Sequence, residues 1–196
     1  MKYVKVLGLA AVVAAALMAF AGSASATILT SPEGTQLGAG TEIKSELTAG
    51  TKAVLKNNAI GEVVCEKSNV AGKTTNAGGA AETVSGNIET LTFEKCNGVV
   101  AVLKKGTLEV HNIAGTHNGT LTSSGAEVTV EIVGIHCIFS TNNTDVGVVT
   151  GGNPATFKAE SAEIPRTGGR SGILCGTAAF WFAQYTITAP NPLLVD

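Results

Sequence analysis

From Thr27 onward, no stretch of this chain keeps an apolar period of 3.6 residues for three turns without meeting a glycine. Apolar side chains recur at every second position instead, as in Thr107-Leu108-Glu109-Val110-His111 and Glu127-Val128-Thr129-Val130-Glu131-Ile132. A period of two places alternate side chains on opposite faces of a strand, so Val128, Val130 and Ile132 are expected inside with Thr129 and Glu131 in water. Residues 41–48, 60–67, 88–96, 99–104, 135–140, 155–164 and 178–188 carry the same strand character. Turn signals fall between them at Asn97-Gly98, Asn118-Gly119, Ser123-Ser124-Gly125, Gly151-Gly152-Asn153-Pro154 and Thr167-Gly168-Gly169. Many short strands at this spacing predict an all-β fold, an antiparallel β-sandwich of jelly-roll or Greek-key type.

The alternation slips at Gly134. Carried through strictly, it would put His136 inside and Cys137 outside. A bulge at Gly134 would return Ile135, Cys137 and Phe139 to the core face and turn His136 to solvent.

Residues 1–26 read as an export signal. Lys2 and Lys5 form a basic head, Val6 to Phe20 an apolar run, and Ala24-Ser25-Ala26 the small residues of a cleavage site. The run is shorter than the ~20 residues that span a bilayer. A signal helix removed after Ala26, followed by a single secreted domain over 27–196, is the expectation, with no lipid anchor and no later membrane span. Loss of Lys2 and Lys5 leaves eleven basic against fifteen acidic residues, and charged residues are only 14 % of the chain. Such a chain is too apolar to stay disordered and lacks the basic excess that nucleic acid demands.

Cys65, Cys96, Cys137 and Cys175 are the four cysteines. An even count in an exported chain predicts two disulfides, and three pairings are open. The sequential pairs, Cys65–Cys96 and Cys137–Cys175, are favoured; closing loops of about 30–40 residues is worth about 3–4 kcal/mol in the chain-entropy model. No C-x-x-C spacing occurs, so a zinc or redox site is not expected. The two Cys-bounded units each pass through a Gly-Gly pair, Gly78-Gly79 and Gly151-Gly152, a faint two-fold echo.

Catalytic motifs were sought and none is expected. Ala71-Gly72-Lys73-Thr74 resembles the end of a phosphate loop, but Lys67 stands where its first glycine belongs, so a turn is predicted there. Arg170-Ser171-Gly172 fails as a nucleophile elbow at Ile173. Glu109 and His111 share a strand face and form the one candidate acid/base or metal pair among the positions of the three histidines, His111, His117 and His136. Asn142-Asn143-Thr144-Asp145 lacks the acidic density of a calcium loop. Asn118 and Asn142 each open a glycosylation sequon. No metal and no cofactor is predicted.

Seven aromatic residues follow the leader, and four of them lie in Phe180-Trp181-Phe182-Ala183-Gln184-Tyr185. Alternation sets Phe180 and Phe182 on one face and Trp181, Ala183, Tyr185 and Ile187 on the other. One face fills the core. The other packs under a loop or offers an apolar platform for a sugar ring or a lipid, with Trp181 and Tyr185 as the candidate ligand residues.

The leader, the four cysteines in Thr/Gly-rich strands and the ending Tyr185-Thr186-Ile187-Thr188-Ala189-Pro190-Asn191-Pro192-Leu193 resemble small secreted four-Cys β-rich proteins of high-GC Gram-positive bacteria, a group of unknown function. The layout is more distantly similar to exported alkane-oxidation-activator proteins of the PraB type. The resemblance implies a β fold and an exported location, and brings no catalytic motif. The expected function is a non-enzymatic extracellular or cell-envelope binding or structural protein, with envelope polysaccharide or lipid as candidate partner. A hydrolase-like enzyme built on Glu109 and His111, and a self-assembling surface protein with pairing strand edges, are the alternatives.

Overall fold

The computed structural model describes residues 26–31 and 33–196. The leader helix expected before Thr27 lies outside the described residues. Fifteen strands follow: β1 (Thr27–Thr30), β2 (Glu42–Leu47), β3 (Ala53–Asn57), β4 (Gly61–Thr74), β5 (Gly78–Gly79), β6 (Val84–Cys96), β7 (Val99–Lys104), β8 (Thr107–Asn112), β9 (Asn118–Ser124), β10 (Glu127–Ile132), β11 (Ile135–Ser140), β12 (Thr144–Thr150), β13 (Thr156–Gly168), β14 (Ala178–Ala189) and β15 (Leu194–Val195). One 3-10 turn, Gly172–Cys175, precedes β14. The all-β class and the two disulfides agree with the sequence reading. The sandwich does not.

β4, β6, β8, β9, β12, β13, β14 and β2 pair antiparallel in that order, and β2 returns to β4. The main sheet therefore closes into an eight-stranded barrel. The physical reason lies in strand length. β4, β6, β13 and β14 run for 14, 13, 13 and 12 residues, so each accumulates right-handed twist. Bulges at Ala71/Gly72, Asp145/Gly147, Glu160/Ala162 and Ile187/Ala189 add the bending that closure requires. Glycine is needed at two of them: a Cβ on Gly72 would lie 2.1 Å from the Asn87 carbonyl oxygen, and one on Gly147, whose φ is +141°, 2.1 Å from that of Lys158.

Small residues read as turns prove to belong to strands. Ala71-Gly72-Lys73-Thr74 ends β4, and Asn118-Gly119 and Ser123-Ser124 belong to β9. β3 and β12 were not anticipated. β10 and β11 confirm the expected faces, but the slip at Gly134 is a chain reversal and not a bulge. Val133 (φ 49°) and Gly134 (φ 78°) form a two-residue hairpin turn with Ile132 opposite Ile135. Cys137 and Phe139 reach the core by that reversal, both fully buried. His136 is not turned free to solvent as expected. It is half-buried, with Nε2 2.8 Å from Thr129 Oγ1, under the loop in which the Ser171 hydroxyl accepts the His136 amide.

The barrel has two tiers. β2 and β3 occupy one stave end to end: β2 pairs with 69–73 of β4 and with 185–189 of β14, β3 with 61–65 and 180–182. Below, β8, β9 and β12 complete the ring. Above, β13 passes to β11, β11 to β10 and β10 to β7. β7 returns from β6 through Asn97-Gly98, but among the described residues the two form no ladder. The upper wall thus has a seam between 88–96 of β6 and β7. Both disulfides lie in this tier and take the sequential pairing: Cys65–Cys96 joins β4 to β6, and Cys137–Cys175 ties β11 to the 3-10 turn. One bridge joins adjacent strands and the other a strand and a turn, so the two bridges do not repeat one another as the two Cys-bounded units of the sequence do.

The lower end is plugged. β1 pairs with β15 and with β5, and Leu29, Leu193 and Val195 are buried against the barrel. Gly119 makes room for them; a Cβ there would lie 2.8 Å from a Val110 methyl and 3.0 Å from a Val195 methyl.

Candidate functional site

The strand faces define what the barrel encloses. Burial along β14 alternates so that Ala179, Ala183, Tyr185 and Ile187 are buried, with Trp181 on the same inward face. On β13 the inward set is Phe157, Ala159, Ala162 and Ile164, the bulge at Ser161 (φ 66°) shifting the alternation by one. Small and large residues thus interleave across the wall. Side chains from all around the ring do not meet at the centre, and a cavity of about 250 Å³ remains. Leu55, Val70, Leu91, Phe93, Val100, Leu121, Val128, Phe139, Phe157, Trp181 and Tyr185 are among its lining residues.

Trp181 and Tyr185 therefore face the barrel interior and not an exposed platform. Trp181 meets Phe93 edge to face with ring centroids 5.4 Å apart, and Phe157 stacks on Tyr185 at 5.8 Å. Phe180 and Phe182 stand on the outer face, half-buried, with the Lys56 ammonium 5.4 Å above the Phe182 ring. The strip is two-sided, and its inward side lines the cavity.

Polar groups at the cavity are few and mostly engaged with one another. The Tyr185 hydroxyl lies 2.8 Å from Ser68 Oγ. Burial pushes the phenol up to about 12, with the Ser68 hydrogen bond opposing the shift, so Tyr185 is a neutral donor at any physiological pH. Ser123 Oγ and Thr141 Oγ1 are 3.0 Å apart, and Ser45 donates to the Val70 carbonyl. Lys73 is the one charged residue along the wall among the described residues, half-exposed and 3.4 Å from Glu89. At ~30 Å³ per water the space matches about eight waters, each needing two to four polar partners. The wall offers far fewer, so this surface favours an apolar occupant.

The remaining candidates lie elsewhere. Glu109 and His111 project from the outer face of β8, 4.0 Å apart and each nearly half-exposed, beside Thr120 and Thr122 of β9. His117 pairs with Asp196 at the plugged end. Asp145 accepts the Gly147 amide at its own bulge. Among the described residues no three His, Cys, Asp or Glu side chains converge as metal ligands. Of the two sequons, Asn118 is engaged, its side-chain oxygen accepting the Gly151 amide, and Asn142 is exposed.

Sequence reasoning found Trp181 and Tyr185 but not Ser68, Phe93, Phe157 or Val70. The available signal was the interleaving of inward alanines with large residues on β13 and β14. No family model, curated protein or solved structure matches this chain.

Proposed function

We propose that this is an exported, non-enzymatic binding protein that carries a small, neutral, apolar molecule inside the barrel. The observation that carries the reading is the apolar cavity of about 250 Å³ lined by Trp181, Tyr185, Phe93 and Phe157. An engineered apolar cavity of about 150 Å³ stays dry and takes up benzene, so a larger one accommodates a substituted benzene or a medium-length chain. The basic head, apolar run and small-residue cleavage site of residues 1–26 support export, and two disulfides suit an oxidising compartment. Among the described residues no helix is long and apolar enough to cross a membrane. Glu109 and His111 support an enzyme less well, because they stand half-exposed on the outer wall, away from the cavity.

The test is binding of propylbenzene, read by the shift in thermal midpoint and by the emission of Trp181. Saturable binding is expected, and it should weaken in Val70→Phe, which puts a larger side chain into the cavity. Absence of binding, or binding untouched by that substitution, would overturn the reading.

One observation favours self-association as a second reading. Val99, Val133, Ile173 and Leu174 are 63 %, 96 %, 92 % and 55 % exposed, all in the upper tier. Sedimentation over a hundredfold range of concentration decides it: growth in particle size that Val133→Ser with Ile173→Ser abolishes supports association, and a constant monomer rejects it.

A further inference from the structure

Tyr185 lines the cavity, and the hydroxyl pair it forms with Ser68 carries one proton more than their mutual bond uses. Ser68 and Tyr185 are each only 1 % exposed. Two hydroxyls carry two protons, and the single bond between them uses one. Among the described residues neither oxygen has a further partner, and either can be the donor. When Ser68 donates to Tyr185, the phenol proton is left without an acceptor, on a residue that lines the cavity. A buried donor without an acceptor is costly, so the pair gains from an acceptor brought by an occupant. That acceptor should be neutral, since Lys73 is already paired with Glu89 and a buried carboxylate would lack a counter-charge.

Building on the binding reading above, we propose that the preferred occupant is a neutral carbonyl compound, a ketone or aldehyde with an apolar body, whose oxygen accepts the spare hydrogen bond of the Ser68–Tyr185 pair. A carbonyl oxygen only accepts, so it satisfies the proton and leaves no donor of its own unpaired.

Either single substitution leaves one hydroxyl proton behind, so the test uses the double variant Ser68→Ala/Tyr185→Phe. Propiophenone and propylbenzene share one carbon skeleton and differ by a carbonyl in place of a methylene. Calorimetry should show propiophenone affinity falling about three- to tenfold relative to that of propylbenzene in the double variant. In the unmodified protein, the carbonyl stretch of bound propiophenone should lie below its value in hexane. This second measurement decides the matter if the double variant does not fold. The anion 3-phenylpropionate should bind at least about tenfold more weakly than the ketone. A hexane-like stretch, equal changes for both neutral ligands, or comparable binding of the anion would overturn the carbonyl assignment while propylbenzene binding kept the cavity reading intact. Failure of every ligand to bind the unmodified protein would remove both.

Discussion

The two tiers of the barrel enclose one cavity but close in different ways. The lower ring, through β8, β9 and β12, is hydrogen-bonded all the way round and stoppered by β1 and β15. The upper ring is interrupted at the β6–β7 seam and holds both disulfides. Neither bridge crosses the seam: Cys65–Cys96 fastens two strands already paired in the ladder, at the end of β6 from which the chain turns to β7, and Cys137–Cys175 fastens β11 to the 3-10 turn. In a closed barrel every strand supports two neighbours. At a seam that mutual support is missing, and here a bridge holds β6, on one side of it, to its other neighbour, β4.

The largest effect is expected from the disulfides. Replacing Cys137 and Cys175 by alanine, or Cys65 and Cys96, should cost about 3–4 kcal/mol per bridge in urea unfolding. The cost should be uneven in space. Amide exchange should quicken in β3, β7, β10 and β11 while β8, β9 and β12 stay protected. Uniform loss of protection would break the comparison, because the tiers would then be one cooperative unit.

Next comes alkaline pH. Tyr185 is held neutral in the fold with its pKa near 12, whereas the unfolded phenol ionises near 10. Between those values the unfolded state gives up a proton that the folded state keeps, so stability falls as pH rises, by about 2–3 kcal/mol in total. Tyr185→Phe should abolish that slope. A slope that persisted would show that the phenol is not buried at the cavity.

A smaller effect is expected at the stopper. Gly119→Ala puts a methyl against Val110 and Val195 and should cost about 1–3 kcal/mol by overpacking, with exchange in β1 and β15 rising first. The smallest is electrostatic. Burial works against the charge of the Asp196 carboxyl, but hydrogen bonds from Thr30 and His117 and the attraction of the His117 ring outweigh it and hold its pKa below the usual carboxylate value. Its stabilisation is present above the unfolded pKa and is lost as pH falls through the lowered one. Asp196→Asn should therefore cost no more than about 1 kcal/mol at neutral pH and nothing in strong acid.

Strand existence and facing were legible because they are local. Val128, Val130 and Ile132 face inward as alternation demands, and β7 and β10 fall on the predicted residues. The even cysteine count predicted two disulfides, and of the three open pairings the favoured sequential one is formed. Closure was not legible, because it depends on twist summed over strands such as β4 and β13; Gly72 reads as a turn and Ser161 as plain strand in the sequence, and both are bulges in the fold. The cavity is harder still. Its volume is the difference between a ring of fixed circumference and the side chains that point into it, and neither can be read from one strand. Ser68 illustrates the loss: a serine in a polar stretch gives no hint that Tyr185, 117 positions away, is its partner.

The stopper also sets an order of events in time. Thr30 is bonded to Asp196 across 166 positions, and β2 and β3 wait for β14. Contacts this distant form late, because a long loop must close before they yield anything. A chain leaving a ribosome or crossing a membrane N-terminus first therefore cannot seal its barrel until its last strands emerge. Until then its apolar interior stays open, which makes the final residues the step that commits the molecule to its folded form.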